Sequence, residues 1–477
     1  MAGEAVKITR ETRWVYGGGG AAYGVFYNAH YFVLVYYSQV LGLNPGLAGL
    51  AVGIGLILDA VTDPLIGYLS DNTRSRWGRR HPWLIGSIAP LAASFYFLWH
   101  PPMFIEGDTL LFAWLVGCNV IMRTAITMFL VPAYAIVAEL TSNYDERTRF
   151  LTNFHVVYSV FVNGMSVLMY AIWLVPTDEI TDGVMNPQGY QTAGLFGTVI
   201  IVVSILAFSA RLRGFIPQLR KHEIKGSPSL RQFFRQASDV FRTGSARIVV
   251  FGGIAYYAGV GTYVALWVYI YSYFWEFTNE QISIIVIPMA VAAVVLPAVM
   301  KRWSIGREKK AIAIAGLLGA MAINVVPITL RLLGFFPENG SDSLFWIMFV
   351  AGFFETNLFL VFDISWRSMI ADLTERVQLD TGRRNEGVIS STITFVSKCA
   401  DALGTLLAGI LLTIIAFPTE TAVGEVPQET INRLGLIYGP VVFLIWMGVI
   451  LTLGRYRISR SRHREMVEQL ERNNSSH

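Results

Sequence analysis

The stretch Leu58–Trp83, LDAVTDPLIGYLSDNTRSRWGRRHPW, begins inside apolar sequence and ends in a cluster of arginines. Asp59 and Asp63 lie four residues apart in its apolar part, so a helix places both carboxylates on one face. Lipid cannot solvate carboxylates, so such residues face the protein interior or a water-filled cavity. The stretch therefore predicts a membrane helix with an internal acidic site, followed by a basic loop.

The composition is typical of a membrane protein. Of the 477 residues, 54% are hydrophobic and 15% are charged, whereas soluble domains carry about 25% charged residues. The apolar residues form long runs, and the two cysteines, Cys118 and Cys399, lie inside such runs, so no disulfide framework is implied. The net charge of +4 does not indicate a nucleic-acid partner, because the basic residues cluster in particular loops. The N-terminus lacks the pattern of a cleaved signal peptide.

The hydropathy pattern predicts an all-α integral membrane protein with twelve spans. The predicted spans are 17–41, 47–70, 82–100, 109–138, 151–175, 194–210, 248–275, 281–300, 309–333, 343–372, 386–416 and 431–455. Nearly all of the 37 Lys and Arg residues fall in the tails and loops of one side, and the opposite loops hold only Arg331 and Arg433. The positive-inside rule then predicts an inner-membrane protein with both termini in the cytoplasm.

Short internal repeats predict two halves of six helices each. The sequence AELT at Ala138–Thr141 returns as ADLT at Ala371–Thr374, and WGRR at Trp77–Arg80 returns as IGRE at Ile305–Glu308. Internal duplication of this kind is typical of transporters whose halves rock about a site near the midplane. The predicted units are a bundle at 1–210, a cytoplasmic linker at 211–247, a second bundle at 248–455 and a cytoplasmic tail at 456–477. Within the linker, helical spacing of apolar residues predicts an interfacial helix carrying Leu230, Phe233, Phe234, Ala237 and Phe241.

Several motifs resemble a known family. The segment Gly67–Arg80, GYLSDNTRSRWGRR, is similar to the loop between helices two and three of the major facilitator superfamily. The segment Asp59–Pro64, DAVTDP, resembles the glycoside–pentoside–hexuronide:cation symporters, the family of melibiose permease. Further segments that fit are VPAY from Val131, ELT from Glu139, DERTR from Asp145, ADLT from Ala371, GRRNEG from Gly382 and TFVSK from Thr394. The resemblance implies a major facilitator fold and import of a sugar, glycoside or related solute with Na⁺ or H⁺.

The resemblance also implies an ion site and a coupling residue. The implied cation-binding residues are Asp59, Thr62, Asp63 and Thr127. Lys398 matches a lysine that alternates with the cation as partner of the acids, and Asp401 is a competing partner for it at i+3. Thr62 replaces an asparagine of the melibiose carrier, which leaves selectivity between Na⁺ and H⁺ open. The transported ion is the only implied ligand besides the solute, and no resident cofactor is expected.

The solute site is expected to differ from that of melibiose carriers. Their galactoside-recognition positions are Tyr23, Leu130 and His155 here, so we expect melibiose not to be the substrate. The candidate substrate-binding residues are Tyr23, Tyr27, Arg123, Tyr134, His155, Asp363 and Thr394, with Asn28, His30 and Asn153 beside them. Arg123 binds either an anionic group of the solute or an internal acid. Away from their ends, the spans hold five acids and three bases, and bound cations or protons should balance the difference. The acids are Asp59, Asp63, Glu355, Asp363 and Asp401; the bases are Arg123, Arg367 and Lys398.

The basic loops have two interpretations. They are either simple positive-inside anchors or, as the resemblance implies, a cytoplasmic gate. The gate residues would be Asp71, Arg74, Arg79, Arg80, Glu139, Arg147, Asp372 and Arg384.

Rival functions for the whole protein are a drug–proton antiporter and a carrier of a lipid-like or aromatic solute. A membrane enzyme is disfavoured, because the seven histidines are scattered and no H-E-x-x-H motif occurs. The carrier is expected to function as a monomer.

Overall fold

The computed structural model describes residues 8–141, 143–216, 244–303, 307–381, 386–456, 465–466 and 468–469. All regular elements in these ranges are helical. The first six membrane helices are α1 (Arg10–Val35), α2 (Pro45–Asn72), α3 (His81–Gly86 and Ile88–Trp99), α4 (Gly107–Leu140), α5 (Tyr144–Leu168) and α6 (Pro187–Leu212). The second six are α7 (Gly244–Tyr269), α8 (Asn279–Trp303), α9 (Lys309–Leu332), α10 (Asp342–Thr381), α11 (Glu386–Ile414) and α12 (Gln428–Leu436 and Val442–Gly454).

The predicted all-α architecture is confirmed, with differences at helix ends. Ten helices in the described ranges are long and apolar enough to cross a membrane. The other two membrane helices are α1, whose first turns carry charged residues, and α8. α6 begins at Pro187 rather than 194, because the Asn186 side chain caps it by accepting the N–H groups of Gln188 and Gly189. The predicted interfacial helix lies outside the described residues.

Four π-helical turns occur within the described ranges. Tyr36–Val40 extends α1, Met169–Trp173 extends α5, Ile270–Phe274 extends α7, and Ile437–Val441 joins the two parts of α12. Since the chain alternates direction from helix to helix, the turns that end α1, α5 and α7 lie on the side opposite the termini, which we call the far side, whereas the turn of α12 lies near the middle of its helix. Turns of this kind insert an extra residue and often mark functional positions.

The two halves meet along specific helix pairs. α1 packs against α5 and α6, whereas α7 packs against α11 and α12, so the second half repeats the arrangement of the first. α2 of the first half packs extensively against α11 of the second. This pairing places the acidic stretch of α2 directly at the interface between the halves. The limits of the predicted domains stay predictions.

The glycine run Gly17–Gly20 allows α1 to approach α5 closely. A Cβ atom at Gly20 would overlap the backbone oxygen of Phe154 on α5, whereas a Cβ atom at Gly18 would meet nothing within 4 Å. We expect Gly20→Ala to lower the free energy of unfolding by about 1–3 kcal/mol through overpacking. Gly18→Ala is the matched control and should be neutral or stabilising by up to about 1 kcal/mol. Thermal unfolding of the purified variants measures the difference, and equal effects at both positions would contradict this packing.

Candidate cation and solute site

Two aspartates of α2, a threonine of α4 and a lysine of α11 form a compact cluster between the halves. Lys398 Nζ lies 2.7 Å from Asp59 Oδ2 and 2.6 Å from Asp63 Oδ2, and donates to both carboxylates. Thr127 Oγ1 lies 2.7 Å from Asp59 Oδ1 and 2.9 Å from Asp63 Oδ1, and its single proton serves one of them at a time. The ammonium group therefore lies between the two carboxylates, where a small cation could otherwise bind.

The local structure of α2 orients the two acids. Asp59 is buried and Asp63 is half-buried, one turn further along the same face. The Thr62 hydroxyl donates to the Asp59 backbone carbonyl at 3.2 Å and does not contact the carboxylates. Pro64 follows inside the helix and has no N–H to donate, which leaves the Ala60 carbonyl without its helical partner. The structure thus brings together three of the four predicted cation ligands.

Arg123 of α4 flanks the acid pair. It is 3% exposed, and its Nε donates to Asn119 Oδ1 at 3.0 Å. Its guanidinium also contacts His30 Nε2 and lies 3.7 Å from Asp59 Oδ2. Asn119 in turn donates to two backbone carbonyls of α2. Of the two interpretations of Arg123, the structure shows the pairing with an internal acid.

Asp401 is a third acid near this cluster. It lies three residues after Lys398 on α11, and its charge interacts with that of Arg123. Lys398 nevertheless points to Asp59 and Asp63, so the competition between partners is decided in their favour in this structure. The negative charges of Asp59 and Asp63 are balanced locally by the positive charges of Lys398 and Arg123. Asp401 adds one further negative charge.

Aromatic side chains of α1 and α5 form one continuous surface in the first half. The ring of Tyr23 stacks on that of Tyr158 with centroids 4.8 Å apart. Tyr27 contacts Tyr158 and His30 with centroid distances of 5.9 and 5.3 Å. His155 lies 5.5 Å from Tyr158. Tyr158 is central to this surface and was not predicted from the sequence, although it lies only three residues after His155.

The second half contributes an ion pair facing that surface. Arg367 Nε lies 2.7 Å from Asp363 Oδ2, as the i, i+4 spacing predicts. His155 lies within electrostatic range of both members of the pair, and Tyr134 lies within range of Arg367. Five of the seven predicted substrate-binding residues, Tyr23, Tyr27, Tyr134, His155 and Asp363, thus flank one region between the halves.

The remaining candidates are placed differently. Thr394 is exposed on α11, one turn before Lys398. Asn28 is buried, and its Nδ2 donates to α5 at Val162 O and Ser166 Oγ, so it joins two helices. Asn153 packs against Gly17 of α1. The Asn28 side chain therefore has a structural role in joining α1 and α5.

Predicted gate residues of the first half form a tight network at the terminal side. Arg80, which is 4% exposed, lies 3.0 Å from Glu139 Oε1 and 2.5 Å from Asp71 Oδ1. Arg79 also contacts Glu139 at 3.2 Å, and Arg80 donates to Ser70 Oγ. The network joins the ends of α2, α3 and α4 within one half.

The second half has an equivalent pair at the repeated motif. Asp372 is the acid of the repeated ADLT and binds Lys309 at 2.7 Å, just as Glu139 of AELT binds Arg79 and Arg80. Arg74 is exposed, Arg147 donates to the Thr141 carbonyl at 2.7 Å, and Arg384 lies outside the described residues. A gating role for these residues stays a prediction.

Polar contacts close the far side between the halves, and sequence reasoning did not find them. Ser38 hydrogen-bonds to Tyr269, and the hydroxyl of Tyr273 lies 3.4 Å from Gln39 Oε1. Gln39 Nε2 also donates to the Pro418 carbonyl at 3.0 Å. Ser38, Gln39, Tyr269 and Tyr273 belong to, or adjoin, the π-helical turns of α1 and α7, whereas Pro418 lies in the loop after α11. In this structure the space between the halves is thus closed on the far side.

Comparison with known proteins identifies the family. Residues 15–460 match the family described as MFS/sugar transport protein. The chain belongs to this family. Members of this MFS/sugar transport family are carriers rather than enzymes, and the present chain is a multi-pass membrane protein of that kind.

Two relatives and one solved structure support this result over nearly the whole chain. An uncharacterized symporter of Synechocystis sp. is 25% identical, covering 98% of this chain and 97% of the relative. A putative glycoside/cation symporter of Escherichia coli is 21% identical, covering 97% and 95%. The inward-open structure of the E. coli xylose transporter superimposes with a TM-score of 0.63 at 12% identity, covering 96% of this chain and 99% of that one. The last similarity confirms the twelve-helix major facilitator fold.

Proposed function

We propose that this chain is a secondary active transporter that couples entry of a sugar, glycoside or related solute to Na⁺ or H⁺. The observation that carries the proposal is the position of Lys398, which comes from one half and lies between two carboxylates of the other. Membership of the MFS/sugar transport family and the name of the E. coli relative support it.

The coupling step in this proposal is an exchange of partners. A cation entering between Asp59 and Asp63 meets carboxylate oxygens and the Thr127 hydroxyl, which are ligands that hard cations prefer. Two adjacent carboxylates disfavour each other's ionised form, so the site needs either the cation or Lys398. The displaced ammonium can turn to Asp401, its neighbour at i+3. The link between the halves is then broken, and the halves can move.

The proposed solute lies between the aromatic surface and the Asp363–Arg367 pair. Tyrosine rings offer flat apolar faces for a sugar ring, while hydroxyl and charged groups hydrogen-bond to its hydroxyls. Arg123 is not assigned to the solute, because its donors already bind Asn119, His30 and Asp59.

Uptake into proteoliposomes tests the proposed function. A panel of labelled glycosides, pentoses, uronates and a lysophospholipid should be offered under an inward Na⁺ gradient, an inward proton gradient and neither. We expect accumulation of a sugar-class solute under one of the gradients only, and no accumulation of melibiose. Accumulation of the lysophospholipid alone would establish the rival lipid-like substrate, and exchange of an aromatic cation for protons would establish the antiporter.

The proposed location is the inner membrane, with both termini and the linker in the cytoplasm. Single cysteines replacing Glu179 on an exposed far-side loop and Lys225 in the linker, in a Cys118→Ala, Cys399→Ala background, test this orientation. We expect a membrane-impermeant thiol reagent to label the cysteine at 179 in intact cells, and the cysteine at 225 only after the cells are opened. Labelling of both from outside would overturn the orientation.

A further inference from the structure

Glu355 is a buried carboxyl group in the second half that the cation site does not use. It lies on α10 and is 5% exposed. Asn324 Nδ2 of α9 donates to Glu355 Oε1 at 3.1 Å. Among the described residues it forms no salt bridge, whereas Asp59, Asp63 and Asp363 each have a basic partner. Glu355 is therefore one of the acids by which acidic residues outnumber basic residues within the spans.

The groups around Glu355 are neutral. Tyr263 and Tyr271 of α7 and Tyr438 of α12 lie within electrostatic range of its carboxyl group, together with Asn324 of α9. Glu355 and Asn324 line a cavity of about 10 Å³ together with Tyr271, Tyr438 and several apolar side chains, with room for about one water molecule. Asn324 Oδ1 is buried and has no hydrogen-bond partner in the described part of the chain. No member of the Asp59–Asp63 cluster lines this cavity.

These surroundings favour a proton over a metal cation as the ligand. A hard cation is bound by several oxygen ligands, but Glu355 is the one carboxylate in the lining of this cavity, and a space for about one water molecule cannot hold an ion with its own water shell. An ionised carboxylate that is buried without a basic partner is costly, whereas the neutral acid costs much less. The Asn324 amide suits either form, because its NH₂ group donates to a carboxylate and its oxygen, after reversal of the amide, accepts from an acid.

We propose that Glu355 is a proton-binding site of the second half, separate from the Asp59–Asp63 site, which is occupied while the far side is closed. The carboxylate takes its proton from a hydronium ion of the solution when the far side is open: one O–H bond of hydronium breaks, an O–H bond forms on one carboxyl oxygen, and a water molecule is released. Closure then buries the neutral acid, because the cavity is bounded by Ile270 and Tyr271 of the π-helical turn in α7. The same turn carries Tyr273, which contacts Gln39 of the other half.

Two measurements test this proposal, and neither uses a solute or a coupling cation, so they are independent of the proposed function. The first is infrared spectroscopy of the purified carrier at neutral pH. We expect a C=O stretching band of a protonated carboxylic acid that Glu355→Gln removes. Glu338→Gln, which changes an exposed acid of the far side, is the matched control and should retain the band.

The second measurement follows far-side closure against pH. Spin labels on cysteines replacing Glu179 and Glu425, which are exposed on far-side loops of the two halves, report their separation. We expect the closed population to fall as pH rises in the wild type and in Glu338→Gln, and to stay high in Glu355→Gln. A band unchanged by Glu355→Gln, or an unchanged pH dependence in that variant, would overturn the proposal. Failure of Glu355→Gln to fold would also count against it, because glutamine keeps the shape of the neutral acid.

Discussion

Replacing Asp59 or Asp63 with asparagine is expected to abolish uphill accumulation of solute. Each substitution keeps the shape of the side chain and removes one charge from the site that Lys398 and the cation share. Hydrogen bonds to charged groups contribute about 1.5–3 kcal/mol each, so cation affinity should fall by about ten- to a hundredfold. Without a bound ion the gradient cannot drive transport, although downhill exchange of solute can persist, because the residues proposed for the solute are separate.

The two variants should differ in stability. Asp59 is buried beside Arg123 as well as Lys398, whereas Asp63 is more exposed and has Lys398 as its basic partner. Removing one member of a buried pair leaves the other without compensation, which typically costs about 3–5 kcal/mol. We therefore expect Asp59→Asn to lower the thermal unfolding temperature more than Asp63→Asn does.

The measurements are solute accumulation, solute exchange and solute affinity as functions of Na⁺ and pH. Asp108→Asn, which changes an exposed acid at the start of α4, is the control and should behave as the wild type. Because linkage is reciprocal, the cation should tighten solute binding by the factor by which solute tightens cation binding. Variants at Asp59 or Asp63 that still concentrate solute would reduce the cluster to a structural ion pair.

The helices could be predicted because lipid selects for long apolar runs, but their ends could not. α1 begins at Arg10 rather than 17, because Thr9 caps it and its first turns extend beyond the apolar run. For α6 the signal was present in the sequence as Asn186–Pro187, a capping residue followed by proline at the first helical position. Hydropathy locates the apolar part of a helix, while capping side chains determine where the helix ends.

The acid pair was predictable because two residues at i, i+4 on one helix must share a face. Contacts between different helices could not be predicted in the same way. Arg123 had two open interpretations until Asn119, His30 and Asp59 were seen around it. The acids of the repeated AELT and ADLT motifs, Glu139 and Asp372, both bind basic side chains, so the sequence repeat corresponds to a repeated ion pair in the structure.

The far-side contacts were missed, although a weak signal existed. The pair Tyr37–Ser38 in α1 has a counterpart, Tyr271–Ser272, in α7, at an offset close to that of the other repeats. Both pairs lie in π-helical turns. Whether such turns meet depends on the conformational state of the carrier, which one-dimensional sequence patterns do not encode.

Replacing Lys398 with glutamine should have the opposite effect on cation binding from the aspartate substitutions. Lys398 competes with the cation for Asp59 and Asp63. Without it the two carboxylates repel each other, and the cation becomes their remaining mobile counter-charge. We expect cation affinity to rise about tenfold or more, because the competitor is gone. Uphill transport should be lost, because cation binding no longer displaces a lysine that connects the two halves.

Thermal unfolding with NaCl, compared with choline chloride at equal ionic strength and at several pH values, measures the expected cation dependence. Stabilisation by a bound ligand reaches about 2.7 kcal/mol at a hundred times its dissociation constant, so Lys398→Gln should gain more from the cation than the wild type does. Lys398→Arg, which keeps the charge, is the matched control. Unchanged or weaker cation binding in Lys398→Gln would contradict the competition.

The double variant Lys398→Gln, Asp63→Asn separates charge balance from coupling. It removes one base and one acid that touch at 2.6 Å, so the local charge is the same as in the wild type. In the absence of cation it should therefore be more stable than Lys398→Gln alone, and the two substitutions should be strongly non-additive in a double-mutant cycle. Transport should nevertheless stay uncoupled, because restored neutrality does not restore a lysine that exchanges partners between the halves. Recovery of uphill accumulation in the double variant would show that charge balance alone drives the cycle, and that partner exchange by Lys398 does not.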